Sequence, residues 1–233
     1  KKQTIKSLRA LTIEEVYELS DAIISEDNIN LEEELGDVLL HVIFYSQIGK
    51  EKNLFSIDSI IDKLIVKLKE RHPHIYGDLN VSTSEEVEEN WEAIKKKKKK
   101  SSRTLYGVSK GIPPLVKSMV IQKKVRSVGF DWEKESQVLN KIDEEVSELK
   151  TEIKNKNSKK IKSEIGDLFF SIINYARFIG VDPEEALEKT NVKFIKRFNF
   201  MEDKILKDGK KFKEMSLKEM DEYWEISKLE ENE

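Results

Sequence analysis

The chain has 233 residues, 38% of them hydrophobic and 37% charged, with a formal net charge of −3, which suits one large domain or two of about 110 residues with thin cores. That charge argues against a strongly basic nucleic-acid binder, and the lack of cysteine excludes disulfides and thiolate zinc sites and is compatible with a cytoplasmic location. No apolar run reaches membrane-spanning length and no signal peptide is visible, while the start at Lys1 instead of Met points to residues removed upstream.

Residues 3–25 read as a helix, with Leu8, Leu11, Val16, Leu19, Ala22 and Ile23 at helical spacing and Glu14, Glu15 and Glu18 on the other face. Glu26 to Asn30 should break it, and residues 31–49 form a second helix closed by Gly49 as C-cap. A third begins at Ser56, carries Ile57, Ile60, Ile61, Leu64, Ile65 and Leu68, and stops at Pro73. His72 and His74 flank that proline and read as capping or surface residues rather than ligands, because no Cys and no Glu-x-x-His accompanies them. Residues 84–94, with Trp91, read as a fourth helix.

Lysines 95–100 and Ser101-Ser102-Arg103 are the sharpest change of composition. With no aromatics interleaved they read as a solvated helix end and linker, not as a nucleic-acid patch. Beyond Gly107, Gly111, Pro113 and Pro114, helices are expected over 115–128, 134–154, 161–179, 183–206 and 216–229. Asp182-Pro183 opens the fourth of these as N-cap and first helical residue, and Trp224 lies in the last. Almost nothing reads as strand. The expected fold is all-α: two tandem helical-bundle domains of about four to five helices, over 1–100 and 114–233, joined by a linker at 101–113.

The tandem reading rests on an internal repeat. Glu14, Glu15, Glu18, Glu34, Gly36 and Asp37 return as Glu144, Glu145, Glu148, Glu164, Gly166 and Asp167, each displaced by 130. At 100° per residue, Glu145 and Glu148 lie about 60° apart on one helix face, as do Glu164 and Asp167 on the next. After each second acidic pair the sequence turns apolar (38–45 and 168–175), so that pair should open a buried helix. Antiparallel packing across the short polar loop brings the acidic pairs together. Two carboxylates 5 Å apart repel by roughly 3 kcal/mol at an effective dielectric near 20, and four require a counter-charge. A hard divalent cation supplies it, and Mg²⁺ suits an all-oxygen set best, with Mn²⁺ as a substitute. The first copy, Glu15, Glu18, Glu34 and Asp37, is a second candidate metal site.

Lys189, Lys193 and Arg197 follow one another at i, i+4 and i+8, a stripe of like charge that a polyanion would relieve. Lys160, one turn before Glu164, can add to it. Cations together with carboxylate-held Mg²⁺ are the parts that bind a triphosphate. Lys63, Lys67 and Arg71 form a similar stripe in the first repeat, though Asn30 stands where the second has Lys160, and Leu11 where it has Lys141. A solvated basic face remains open as the alternative.

These residues together resemble the MazG family of nucleoside triphosphate pyrophosphohydrolases, over nearly the whole chain. The resemblance is carried by the doubled Glu-Glu-x-x-Glu…Glu-x-x-Asp pattern, Lys-Leu-Lys-Glu-Arg-His-Pro-His (67–74), Val-Gly-Phe-Asp-Trp (128–132) and Asn-Val-Lys-Phe-Ile-Lys-Arg-Phe (191–198). It implies an Mg²⁺-dependent helical homodimer that hydrolyses nucleoside triphosphates to monophosphates and pyrophosphate, in nucleotide-pool control or house-cleaning. By the same resemblance Glu145, Glu148, Glu164 and Asp167 are metal ligands, Lys160, Lys193 and Arg197 hold phosphates, Trp224 contacts the nucleotide, and the second repeat is the active one. The family's usual Pro-Trp-Asp start is missing before Gln3-Thr4-Ile5, and related chains can carry this unit behind a methyltransferase domain.

The expected chemistry is in-line attack of a metal-activated water on the triphosphate chain, with Glu144 as base or orienting group. Two other readings stay open: a related phosphohydrolase acting on dUTP, dCTP or phosphoribosyl-ATP, and a non-catalytic dimeric scaffold. A di-iron bundle is disfavoured for want of Glu-x-x-His.

Overall fold

A computed structural model describes residues 3–76, 94 and 103–230. Its helices are α1 (Ile5–Ile24), α2 (Asn28–Glu51), α3 (Ile57–Arg71), the single turn α4 (Pro73–Tyr76), α5 (Pro114–Arg126), α6 (Glu135–Lys154), α7 (Ser158–Phe178), α8 (Pro183–Lys207) and α9 (Leu217–Glu230). A 3₁₀ turn at Phe212–Glu214 lies between the last two. No strand occurs among the described residues, so the fold is all-α. The expected helix at 84–94 with Trp91 and the lysine run at 95–100 lie outside the described residues, apart from Ile94.

The chain forms two compact units, one reaching Val108 and including Ile121–Asp131, the other made of Ser109–Val120 and Trp132 onward. In the first, α1 packs antiparallel on α2, and α3 follows on α2. In the second, α6 packs antiparallel on α7, and α8 pairs with α9. The α8–α9 pair has its own core of Met201, Ile205 and Tyr223, lined by Phe212, Met215, Met220 and Trp224.

The duplication extends to backbone geometry. Glu26 and Lys156, 130 apart, both adopt left-handed φ, 56° and 53°. The next residues, Asp27 and Asn157, donate their N–H groups to the carbonyls of Ala22 and Glu152 at 3.0 and 3.1 Å. This closes each first helix with a 6→1 bond. Each of the two side chains then caps the following helix, Asp27 accepting from Ile29 and Asn30 and Asn157 from Lys160. The loops are therefore three residues long. The expected break over 26–30 and the polar 155–160 are corrected accordingly, because an N-cap starts a helix wherever its side chain can satisfy the first free N–H groups.

Two further expectations are corrected. Gly49 is not a C-cap: α2 continues to Glu51, and Gly49 is buried inside it. A Cβ there would meet the Phe55 ring at 2.4 Å, so the glycine admits an aromatic ring against the helix. Nor are α2 and α7 buried helices. Leu39, Ile43 and Phe44 on α2, and Phe169, Phe170 and Ile172 on α7, are exposed, Phe169 by 62%. One antiparallel neighbour covers only one stripe of a helix that is apolar most of the way round.

Candidate metal and phosphate site

In the second unit, antiparallel packing brings carboxylate oxygens of Glu145 from α6 and of Glu164 and Asp167 from α7 within 4.8 Å of one another. Glu145 is the buried member, its side chain 7% exposed. The α6–α7 loop holds these groups level, since its tight turn leaves little freedom for the helices to slide. Burial raises the pKa of Glu164, and the nearby carboxylates of Glu148, Asp167 and Glu145 raise it further. Glu148 lies outside that tight trio but next to Glu164. Glu144 is half exposed and reaches Lys141 at 2.9 Å.

The counter-charge within the chain is Lys141, whose Nζ lies 2.7 Å from Glu145 Oε1. Hydrogen bonds to Glu145 and then Glu144 hold its pKa well above the ordinary lysine value. The spacing i, i+3 and i, i+4 could have identified this fork from sequence.

In the first unit, carboxylate oxygens of Glu15, Glu18 and Glu34 gather within the same 4.8 Å. Asp37 lies outside the trio but contributes to the raised pKa values of Glu18 and Glu34, which burial raises most. Glu34 Oε2 is buried and has no hydrogen-bond partner. The basic group here is His41 on α2, its Nε2 3.6 Å from Glu15 Oε1. Sequence reasoning placed His41 in an apolar run and missed it.

The phosphate candidates divide. Lys160 pairs with Glu152, Nζ to Oε1 at 3.0 Å, beside the α6–α7 loop. Lys189 pairs with Glu185 one turn before it, at 2.5 Å, so the stripe of like charge is partly neutralised. Lys193 is exposed and Arg197 half-buried on α8. Phe194, between them, packs with its ring tilted by 45° and its centroid 5.0 Å from that of Trp224, and Phe198 stacks on Phe212 at 5.6 Å. Trp224 thus belongs to an aromatic array beside the two cations. His72 caps α3, its Nδ1 2.8 Å from the Leu68 carbonyl.

Three carboxylates gathered on two helices, one of them buried, are an all-oxygen donor set that fits a hard divalent cation, which Glu145, Glu164 and Asp167, with Glu148 alongside, would hold in competition with the Lys141 ammonium. A helical protein with a doubled carboxylate cluster of this kind belongs among metal-dependent hydrolases of phosphate anhydrides. Residues 3–76 and 133–200 each match the MazG nucleotide pyrophosphohydrolase domain. The chain is 44% identical over 228 residues to the nucleoside triphosphate pyrophosphohydrolase/pyrophosphatase MazG of Thermotoga maritima, covering 98% of this chain and 88% of that protein. It is 36% identical to the nucleoside triphosphate pyrophosphohydrolase of Escherichia coli K12, covering 99% and 90%. Bacillus subtilis YabN, an uncharacterized protein, is 42% identical over 98% of this chain but only 47% of its own length. The chain belongs to the MazG family of nucleotide pyrophosphohydrolases, with two MazG domains in tandem.

Proposed function

We propose that this chain hydrolyses nucleoside triphosphates to monophosphates and pyrophosphate at the second repeat, with Mg²⁺ as the physiological metal and Mn²⁺ as a substitute. The observation that carries the reading is the trio Glu145, Glu164 and Asp167 with Lys141 at its edge. A bound divalent cation there would neutralise phosphate charge and lower the pKa of a bound water. The chain's own groups do the rest. Glu145, Glu148, Glu164 and Asp167 hold and orient the cation, and Lys193 and Arg197 clamp phosphate oxygens. Phe194 and Trp224 offer π-faces to the base. Glu144, bridged to Lys141, orients the neighbouring carboxylate or accepts the proton of the attacking water. Attack in line at a phosphorus forms one P–O bond and breaks another, and pyrophosphate leaves.

The exposed apolar faces of α2, α3 and α7 support a homodimer, since a monomer rarely leaves such contiguous apolar surface in water. The domains of this reading are 1–100 and 114–233 around a linker at 101–113, and its setting is nucleotide-pool control or house-cleaning in the cytoplasm. No helix among the described residues is long and apolar enough to cross a membrane.

The test is pyrophosphate release from a panel of nucleoside and deoxynucleoside triphosphates with Mg²⁺, comparing wild type, Glu15→Gln and Glu145→Gln. Loss of about 100-fold or more in Glu145→Gln alone supports the reading. Equal partial losses would place turnover in both repeats, and no release from any substrate by the wild type would favour the scaffold.

A further inference from the structure

The α6–α7 hairpin is a ladder of facing side chains. Antiparallel packing sets Glu145 opposite Asp167, Glu148 beside Glu164, and Glu152 against Lys160. The first two rungs are the acidic cluster. The third, next to the loop, is an ion pair with Nζ 3.0 Å from Oε1. On α6, Glu145, Glu148 and Glu152 follow at i, i+3 and i+7, and on α7 Lys160, Glu164 and Asp167 follow at i, i+4 and i+7. Each run lies on one helix face, so Lys160 stands about one turn along from the metal-binding carboxylates.

The first repeat shows what this loop needs in order to fold. In the second repeat the Glu152 carbonyl accepts from Asn157 N–H at 3.1 Å, and Asn157 Oδ1 accepts from Lys160 N–H at 3.3 Å. In the first, the Ala22 carbonyl accepts from Asp27 N–H at 3.0 Å, and Asp27 Oδ1 accepts from Asn30 N–H at 3.1 Å. The two loops match, yet the first has no charge at either place: Ala22 stands for Glu152 and Asn30 for Lys160. Asn30 turns back instead, its Nδ2 donating to Asp27 Oδ2 at 3.0 Å. Backbone and cap bonds therefore suffice for the turn. The bridge between Glu152 and Lys160 is an addition of the second repeat.

That bridge is lopsided. The Glu152 side chain is 13% exposed and the Lys160 side chain 61%, so the carboxylate is the fixed member and the ammonium the one that reaches out. A free lysine spreads over many rotamers, and ordering it on a ligand costs up to about 30-fold in affinity. An ammonium has three N–H donors. One goes to Glu152, and two remain for phosphate oxygens. Repulsion between Glu152 and a phosphate opposes this gain, but it is screened where solvent reaches the ammonium.

We propose that Glu152 is a positioning residue: its carboxylate holds Lys160 at the loop end of the cluster, where the ammonium binds the phosphates of a metal-bound triphosphate. This rests on the hydrolase reading above and adds to it a residue that touches no substrate atom.

The test is steady-state kinetics of the full chain with Mg²⁺, on the triphosphate that the wild type hydrolyses fastest. Glu152→Ala copies the residue of the first repeat. It should raise KM about 5- to 10-fold and leave kcat within about twofold. Affinity for the α,β-methylene analogue of that triphosphate, measured calorimetrically, should fall by the same factor. Glu152→Gln, which keeps an oxygen acceptor for Nζ, should recover most of the loss. In a Lys160→Met background, which itself raises KM, Glu152→Ala should add less than about twofold, because the two residues act through one contact. An effect of Glu152→Ala that persists in full there would overturn the proposal, as would Lys160→Met without effect on KM, or a fall in kcat at unchanged KM. Should Glu152→Ala fail to fold, Glu152→Met, of similar volume and without an acceptor, takes its place with the same expectations. An inactive wild type would sink the hydrolase reading and this proposal together. An active one with KM unaltered by Glu152→Ala would sink this proposal alone.

Discussion

Lys141 Nζ lies 2.7 Å from Glu145 Oε1, so the most buried carboxylate of the second cluster is held by a cation of the chain itself. An ammonium and a divalent metal compete for the same negative charge. Lys141→Met should therefore lower the melting temperature of the metal-free protein, since it leaves Glu145 unpaired among carboxylates. The same change should enlarge the rise in melting temperature on adding Mg²⁺. Thermal melts in EDTA and in saturating Mg²⁺ read both. A variant that melts like wild type in EDTA would show that the pair does not stabilise the cluster.

The same crowding predicts an acid-side gain. Glu18, Glu34 and Glu164 all have pKa values raised above their ordinary 4.5, by burial first and by neighbouring carboxylates second. A carboxyl whose folded pKa exceeds its unfolded one adds stability that is fully present below about 4.5 and is lost as pH rises through the folded value. Metal binding needs the ionised forms. Mg²⁺ should thus raise the melting temperature most above neutrality and have little effect near pH 4.5. Glu164→Gln should flatten the pH dependence and stabilise the metal-free protein near neutrality, which melts across a pH series would register.

Much of this arrangement was visible in the sequence because it is local or doubled. The acidic pairs at i, i+3, the Asp182-Pro183 helix start and the 130-residue repeat are short-range patterns, and α8 begins where they place it. His41 was not visible. Its partners Thr12 and Glu15 lie on another helix, and no copy at Ser171 drew attention to it. Gly49 misled for a related reason. Glycine after a helical run usually marks its end, and only the Phe55 ring, six residues on, reveals the packing role. The exposure of α2 and α7 was hidden because periodicity shows that a surface is apolar without showing what covers it.

The glycines give opposing stability predictions. Gly49→Ala would place a methyl group 2.4 Å from the Phe55 ring, and forcing the ring aside should cost about 1–3 kcal/mol. Around Gly36 and Gly166 nothing lies within 4 Å of an added Cβ. Alanine at either site should stabilise its helix by roughly 0.5–1 kcal/mol through backbone entropy. Denaturant unfolding of the three variants checks the signs. A neutral Gly49→Ala would mean that Phe55 swings away without loss.

Trp224 and Phe194, with ring centroids 5.0 Å apart, would on the proposed reading face the nucleotide base, and their energetic weight can be separated from that of the acids. Stacking of a base on an aromatic ring contributes on the order of 1–3 kcal/mol, about 5- to 150-fold in affinity. Trp224→Ala should raise KM by an amount in that range across purine and pyrimidine substrates alike, because every base has a π-face. Its kcat should change little if the ring contacts only the base and not the reacting phosphate. Trp224→Phe, which keeps a π-face, should recover most of the loss. The melting temperature must be followed in parallel, because Trp224 also lines the Met201, Ile205 and Tyr223 core. A fall in kcat at unchanged KM, with stability intact, would remove Trp224 from the binding surface and assign it to the positioning of α8.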